Sequence, residues 1–320
     1  MSQAQGSRGQ LIVQQEVTYK VDPAPAARRF HFVDEGLRLS RELSTTNIIR
    51  GNRNPAMPVR GNQDVAGSIK THVQAFQLST MLKWALGSVV TTGENPYIHT
   101  IKIGSGLPSF LIEKGFTDIT QFFKYNGCKV NRMSVNVSPE GFQDISFDVM
   151  GAKESTSGVT FHAAPTDAGY VPFDGFSIAV IEEGGAAIAN VVSADFSLEN
   201  NLDGNTYVIG GAGERAFLPE GIVKVSGNIK ALFQNLTLYS KAVANTESSL
   251  KIIYRRGTGA GTTGNEEIEF FIPELVYAPS APVITGPQGV LVELPFEAYY
   301  NDGAQVSTLQ IVIKNTEVTI

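Results

Sequence analysis

Apolar and polar residues alternate along much of the chain, and this period of two is typical of β-strands. The clearest cases are GNQDVAGSIK at 61–70 and GIVKVSGNIK at 221–230, in which Val, Gly and Ile fall at alternate positions. The two segments share five of ten residues and lie 160 residues apart, half the length of the chain. Their shared glycines, Gly67 and Gly227, indicate a close backbone approach or a bulge. The pattern therefore predicts an internal repeat.

After each of these strands the apolar spacing changes to that of a helix. In the first half it follows i, i+3, i+4, i+7 and i+8, at Leu78, Met81, Leu82, Ala85 and Leu86. In the second half it steps by four, three and four, at Leu232, Leu236, Tyr239 and Val243. Gly87 and Asn245 follow, and these residue types most readily adopt a left-handed backbone. One helix per repeat is predicted, with a similar stop in each.

Further strands are predicted beyond the helices. In the first half they cover 130–137 and 141–149, joined by the turn Ser-Pro-Glu-Gly at 138–141. In the second half they cover 268–272, 283–284 and 290–298, with a turn at 286–289. Segments 91–106 and 256–264 are predicted loops. The fold is expected to be mainly β, with two tandem β-sandwich or β-barrel domains, each flanked by one α-helix.

The domain boundary is placed in a segment rich in Ser, Pro, Gly and Asp at 155–174. The first domain then covers 1–165 and the second 166–320. Residues 1–35 are polar and contain two prolines, so they are interpreted as an N-terminal arm that needs a neighbour to become ordered.

Composition limits the classes of function. With 320 residues, 42% of them hydrophobic, the chain is long enough for two domains that need no disulfide, and the lone Cys128 is expected to be a small buried hydrophobe. The N-terminus lacks the apolar core of a signal peptide and no long apolar run occurs, so a soluble protein made in a cytoplasm is expected, without a membrane segment. A net charge of −6 argues against wrapping nucleic acid.

The sequence shows no pattern that marks a catalytic, metal or cofactor site. Its four histidines are scattered without zinc-ligand spacing, and no GxSxG motif occurs. The glycine-rich segment 257–264 is followed by a strand pattern rather than a helix, which favours a hairpin tip over a dinucleotide loop. The chain is therefore predicted not to be an enzyme and to need no cofactor.

Two features remain open to more than one interpretation. Asp144 and Asp148 share one face of a predicted strand, where paired acids can act as general acid and base, although an exposed polar face is the default. Trp84 lies between the core positions of the first helix, so it can face a partner or the core.

The order of motifs resembles the major tail tube proteins of long-tailed, siphovirus-like bacteriophages. The resemblance is carried by RGNQDVAGSIK, the helix QLSTMLKWALG, PSFLIEKGF, and YNGCKVNRMSVNVSPEG leading to SFDVMGA. It covers residues 50–155 well and the second half less well. The opening QQEVTYKVDPAPAA is also similar to the start of such subunits.

This resemblance implies a structural virion protein whose rings stack into a hollow tube for genome passage. Its partners would be other copies of the chain and the tape measure, tail terminator and distal tail proteins, and it would reside in the phage tail. Related tubes are commonly six-fold, so a duplicated chain predicts three chains per ring with pseudo-six-fold symmetry. Six chains per ring would contradict this. DNA is expected to pass through the lumen without specific binding.

Site residues follow from the same resemblance. The lumen candidates are four acids, with the second pair expected at strand positions similar to the first: Asp144, Asp148, Glu293 and Glu297. The interface candidates are Trp84, Arg28, Arg29, Tyr97, Thr258 and Thr262. The segments 91–106 and 256–264 are candidates for contact with the neighbouring ring. The alternatives are another virion component, such as a tail-end adaptor or a receptor- or glycan-binding module, and a soluble hydrolase.

Overall fold

Antiparallel β-strands are the main regular structure of the protein, at 46% of residues against 7% in helices, which confirms the predicted mainly-β class. The computed structural model describes residues 3–188, 190–284, 286–301 and 306–320. The strands are β1 (Gly9–Gln15), β2 (Arg28–Phe30), β3 (Asp34–Glu35), β4 (Arg38–Ser40), β5 (Leu43–Ser44), β6 (Val59–Arg60), β7 (Asp64–His72), β8 (Gly87–Thr92), β9 (Tyr97–Ile103), β10 (Phe110–Phe116), β11 (Gln121–Val137), β12 (Asp144–Gly151), β13 (Lys153–Ser157), β14 (Ile178–Glu183), β15 (Ala186–Ala187), β16 (Val191–Glu199), β17 (Lys224–Leu232), β18 (Ser248–Arg255), β19 (Glu267–Tyr277), β20 (Leu291–Ala298) and β21 (Gln310–Asn315). The helices are α1 (Leu78–Leu86) and α2 (Thr237–Val243), and none in the described ranges is long and apolar enough to cross a membrane.

The first helix forms where its apolar spacing predicted it. All five predicted core positions of α1 are buried. The helix ends at Gly87, whose φ of 95° is the left-handed conformation that a glycine adopts without steric cost.

The second helix is shorter than predicted. Leu232 is the last residue of β17, where its backbone N–H donates to the carbonyl of Asn190, so the sheet ladder and not a helix takes this position. The helix starts at Thr237, whose N–H is bonded to the side chain of Asn235 at 2.9 Å. The predicted stop is confirmed by Asn245, which has a φ of 50°.

One continuous antiparallel sheet runs through both halves of the chain. Its order is β3 and β4 on one edge, then β7, β12, β11, β16, β17, β20 and β19. The ladder between β11 and β16 joins the first half to the second, with Val135 opposite Phe196. This sheet is called the long sheet below.

Two further sets of strands pack against the core side of the long sheet. In the first half the order is β2, β1, β10, β11 and β13. In the second half it is β15, β14, β18, β19 and β21, extended by β9 and β8 from the first half. β11 and β19 each belong to both layers, and a single buried core lies between them and includes Cys128, as predicted.

The repeated glycines confirm a close backbone approach. A β-carbon at Gly67 would overlap the backbone of Gly36 and Leu37, and one at Gly227 would overlap the carbonyl oxygen of Asp195. A close approach of this kind is possible only where the side chain is a hydrogen atom.

Two predicted irregular segments are ordered. Residues 3–35 are not an unsupported arm, because Leu11 and Val13 on β1 and Phe30 on β2 are buried in the core; residues 1 and 2 lie outside the described ranges. Segment 91–106 is not a loop either, since most of it belongs to the hairpin of β8 and β9.

Two other assignments also need correction. Residues 283–284 lie in no strand; Pro279 and Pro282 nearby cannot donate to a ladder. The segment 155–174 begins within β13 and is irregular only from residue 158 onwards.

Segment 256–264 is a loop, as predicted, since it lies in the connection from β18 to β19.

Candidate functional site

One face of the long sheet is polar, while the other packs into the core. On β12 the side chains of Ile145, Phe147 and Val149 are buried, and Asp144 and Asp148 point to the opposite side. The same alternation continues across the sheet. The side chains on this polar face include Asp34, Arg38, Ser68, Lys70, Arg132, Ser134, Asp144, Ser146, Asp148, Asp195, Ser197, Glu199, Lys224, Ser226, Asn228, Lys230, Glu293 and Glu297.

The cations of the polar face are mostly paired with acids. Among the described residues, four lysine or arginine side chains of this face pair with acids: Lys70 with Asp144 at 2.7 Å, Lys230 with Glu293 at 2.9 Å, Lys224 with Glu297 at 3.0 Å and Arg132 with Glu199 at 3.6 Å. Because these groups are partly or largely exposed, each pair contributes little to stability. Their main effect is to leave little unpaired positive charge on this surface.

The four acidic lumen candidates all lie on the polar face, but the two pairs are out of register. Lys70 is opposite Ser146, whereas Lys230 is opposite Glu293, so Glu293 corresponds to Ser146 and not to Asp144. The shift is two residues. Because strand side chains alternate with a period of two, a shift of two leaves the acids on the same face.

Local contacts set the charge state of this surface. Asp144 also accepts a hydrogen bond from Nδ1–H of His72 at 2.8 Å. Burial raises the pKa of Asp195, which lies between β11 and β17. The hydrogen bond to Glu297 raises the pKa of Lys224, which keeps that ammonium group charged.

Trp84 belongs to the core and does not face a partner. Only 2% of the residue is exposed, and its ring stacks on Phe110 with 4.5 Å between ring centres. Its Nε1 donates to the side chain of Gln15 at 3.3 Å. The partner-facing interpretation is therefore wrong for the free subunit.

The remaining interface candidates do not form one cluster. Arg28 contacts Glu317 at 3.3 Å and Arg29 contacts Asp167 at 3.5 Å, so both are engaged within the chain. Tyr97 is half-buried at the start of β9.

Thr258 and Thr262 lie together on the exposed loop between β18 and β19. The side chain of Asn265 bonds to both hydroxyl groups, each at 3.1 Å. These two residues hold the shape of the loop tip.

A contact region that the sequence did not reveal joins the two halves of the chain. Residues 200–223, called the junction loop here, leave β16 and cross onto the first half. Arg215 on this loop is buried and donates to the carbonyl oxygens of Val65 at 3.0 Å and Gly151 at 2.8 Å, and its other Nη bonds to Asp64.

A second buried cation meets the same loop. Lys129 on β11 is 2.6 Å from the carboxylate of Glu220 and 3.0 Å from the carbonyl oxygen of Leu218. The ammonium group also lies 4.3 Å from the ring centre of Phe217. Burying a charge requires such partners, so the junction loop is a fixed part of the interface between the halves.

The corresponding connection in the first half is residues 41–63, called the β5–β6 loop here. It is mostly exposed, except at Gln63, which is buried and donates its backbone N–H to the carbonyl of Gly213 on the junction loop. Within this loop β5 pairs with β6 to form a hairpin that lies outside the long sheet. Ile49 is 95% exposed and Met57 90%. A sequence signal for this loop exists, because residues 43–60 contain three arginines and no carboxylate.

No curated protein matches the chain. The family model described as phage tail tube protein matches residues 6–298, which is most of the sequence. The chain therefore belongs to the phage tail tube protein family, whose members are structural proteins of the virion tail.

Proposed function

We propose that this chain polymerises into stacked rings that form the tube of a siphovirus-like tail, through which the genome passes into the host. Three chains close each ring with pseudo-six-fold symmetry. The observation that carries the proposal is the ladder between β11 and β16, which joins the two halves of the chain edge to edge. At the two outer ends of the long sheet, β3 and β4 correspond to β16, and the region after β19 corresponds to the end of β11. In the described residues these two ends do not pair with a further strand of the long sheet.

A tandem duplication, with units at 1–165 and 166–320, is supported by the order of pairing in the two halves. β7 pairs with β12 as β17 pairs with β20, and β10 pairs with β11 as β18 pairs with β19. β1 flanks β10 as β14 flanks β18. β3 and β4 pair with β7 at the edge of the first half, and β16 takes the same position beside β17 in the second half.

The second half has no strand that corresponds to the last part of β11 in the described residues. In the first half, Arg132–Val137 of β11 pair with β16, and Val135 and Val137 are buried. The matching segment after β19, residues 278–284, lies in no strand, and Val283 and Ile284 are 71% and 80% exposed. We infer that β3 and β4 of the next chain cover this segment.

Repetition of this contact closes a ring. Each half contributes four strand positions to the long sheet, so three chains contribute twenty-four. The contact is heterologous, and a heterologous contact forms a ring when its rotation closes. Closure also removes the open sheet edges that favour uncontrolled association.

The polar face suits the wall of a DNA channel. The opposite face is covered by the core, which leaves the polar face free to line the lumen, with Asp144, Asp148, Glu293 and Glu297 on it. Unpaired lysines and arginines would attract phosphate strongly. Ion pairing of the cations, together with acids such as Asp148, keeps that attraction weak.

Assembly of the purified protein tests the proposal. Light scattering coupled to size exclusion should give a mass of three chains for the smallest ring, and cryo-electron microscopy should show six similar lobes. A ring of six chains would overturn the stoichiometry, and discrete monomers at all concentrations would overturn the tube role. At its ends such a tube would meet the tape measure, tail terminator and distal tail proteins.

A further inference from the structure

The β5–β6 loop and the junction loop occupy the same place in the two halves. The first connects Ser40 to Asp64 and the second connects Glu199 to Lys224. In both halves these two residues are paired across the ladder. The connections have nearly the same length, 41–63 against 200–223.

The surroundings of the two loops differ. The junction loop is fixed to the first half by Arg215 and by the buried Lys129. For residues 43–60, the described contacts stay within the hairpin, for example from Arg50 to the carbonyl oxygens of Asn54 and Pro55. The loop therefore presents apolar and basic side chains to solvent without a surface to support them.

The charges at the matched positions are inverted. Arg60 in the first half stands where Glu220 stands in the second, and Asp64 stands where Lys224 does. Residues 41–63 carry four arginines and one acid, whereas the junction loop carries three acids and one arginine. The two loops thus require receiving surfaces of opposite charge.

The second half offers a surface of the required sign. Tyr299 donates its backbone N–H to the carbonyl of Glu274 at 3.1 Å, as Ala152 does to Asn126 at 2.9 Å, so Glu274 lies at the place that corresponds to Asn126. Around Asn126 the first half presents Lys20 and Lys129 to the junction loop.

Around Glu274 the second half presents further acids. Glu247 bonds to the hydroxyl of Tyr299, and Glu297 is exposed on β20 with Lys224 as its partner. These three acids, Glu247, Glu274 and Glu297, are called the acidic corner here. Lys224 offsets one of their charges, which leaves the corner negative.

We propose that the β5–β6 loop of one chain binds the acidic corner of the neighbouring chain in the same ring. This inference rests on the proposed function and deepens it. The contact reproduces between chains the interface that the junction loop makes within one chain, with its charges exchanged. A first half therefore repels another first half, since the arginines of the loop would meet Lys20 and Lys129, and the halves alternate around the ring.

Charge reversal tests this contact in the full-length protein. Arg60→Glu should lower the fraction of protein in rings at least tenfold, while Arg8→Glu, an exposed arginine at the start of β1, should leave it unchanged. Combining Arg60→Glu with Glu274→Arg should restore the rings. Circular dichroism of each variant checks that the subunit is folded, as expected for changes in an exposed loop.

Cross-linking gives an independent measurement. Arg60→Cys combined with Glu274→Cys should form disulfides between chains under oxidation, whereas either change alone should not. The native Cys128 is buried and does not compete.

The possible failures are distinguishable. If the unchanged protein gives no rings, the proposed function itself fails. If Arg60→Glu assembles as the unchanged protein does, only the loop contact is overturned. If it gives single rings that do not stack, the loop acts between rings, and the lateral contact is wrong.

Discussion

The ammonium group of Lys129 lies 2.6 Å from the carboxylate of Glu220, although the two residues are 91 positions apart and belong to different halves of the chain. Only 2% of the lysine side chain is exposed. The pair therefore joins the halves through a charge that has little access to water.

Removal of one partner of the Lys129–Glu220 pair should destabilise the fold. We expect Glu220→Ala to lower the free energy of unfolding by about 3 kcal/mol, because it leaves the Lys129 ammonium buried without its counter-charge. Urea denaturation followed by tryptophan fluorescence measures the change. Glu297→Gln, which breaks the exposed pair with Lys224, serves as the control and should cost much less, because exposed ion pairs contribute little to stability. Equal losses in the two variants would contradict the assigned role of burial.

The same pair should make stability depend on pH. Burial acts to raise the pKa of Glu220, but the hydrogen bonds from Lys129 and from backbone N–H groups such as that of Leu107, together with the charge of Lys129, outweigh burial and hold the pKa below the ordinary 4.5. The unfolded carboxyl group protonates first as the pH falls. The contribution of Glu220 is therefore complete above the ordinary value and is lost as the pH falls through the lowered one.

A difference measurement isolates this contribution. Unfolding free energies of the unchanged protein and of Glu220→Gln should be compared at about pH 6 and about pH 3.5. The gap between them should shrink at the lower pH. A gap that is constant with pH would show that the carboxylate charge does not stabilise the fold.

The glycine at the centre of each repeated strand should not tolerate a side chain. We expect Gly67→Ala and Gly227→Ala each to cost about 1–3 kcal/mol or to prevent folding, because the new methyl group would overlap neighbouring backbone. Gly106→Ala, where a β-carbon meets nothing within 4 Å, is the matched control. Thermal unfolding of the three variants gives the comparison. A loss at Gly106 as large as that at Gly67 would refute the steric explanation.

The sequence predicted those parts of the fold that depend on local periodicity. Helix α1 follows from its apolar spacing. The close approach of neighbouring backbone at Gly67 and Gly227 follows from the glycine repeated in the two strands. Helix α2 was placed too early because Leu232 fits both a helix stripe and the ladder that Asn190 completes. The backbone hydrogen bond from Leu232 to Asn190, which is distant along the chain, places Leu232 in the strand and not in the helix.

The candidate site was less predictable than the fold. The acids of the polar face could be assigned to a face from their spacing, but the two-residue shift of Glu293 depends on the pairing register. Lys129 and Arg215 carry no local signal in the sequence. The partners of Lys129 lie on the junction loop, and Asp64 and Val65, which bind Arg215, lie in the first half. The sequence alone could not assign Trp84 to the core, because Phe110, which stacks on it, is distant along the chain.

The charge of the polar face should control how easily DNA moves through the tube. Asp148 is exposed on this face, opposite Ser68 on β7. We expect Asp148→Lys to leave ring and tube assembly intact, because the side chain is exposed and points away from the core. In the assembled tube the added lysines would repeat along the channel wall and attract phosphate, and this attraction weakens as salt concentration rises. DNA ejection from phage that carry the variant should therefore be slowed at low salt and recover at high salt, as measured by fluorescence of a DNA-binding dye. Ser155→Lys places the same side chain on β13, outside the polar face, and should eject DNA at the normal rate. Normal ejection by Asp148→Lys at low salt would remove the polar face from the lumen, and the channel wall would have to be sought on another surface of the subunit.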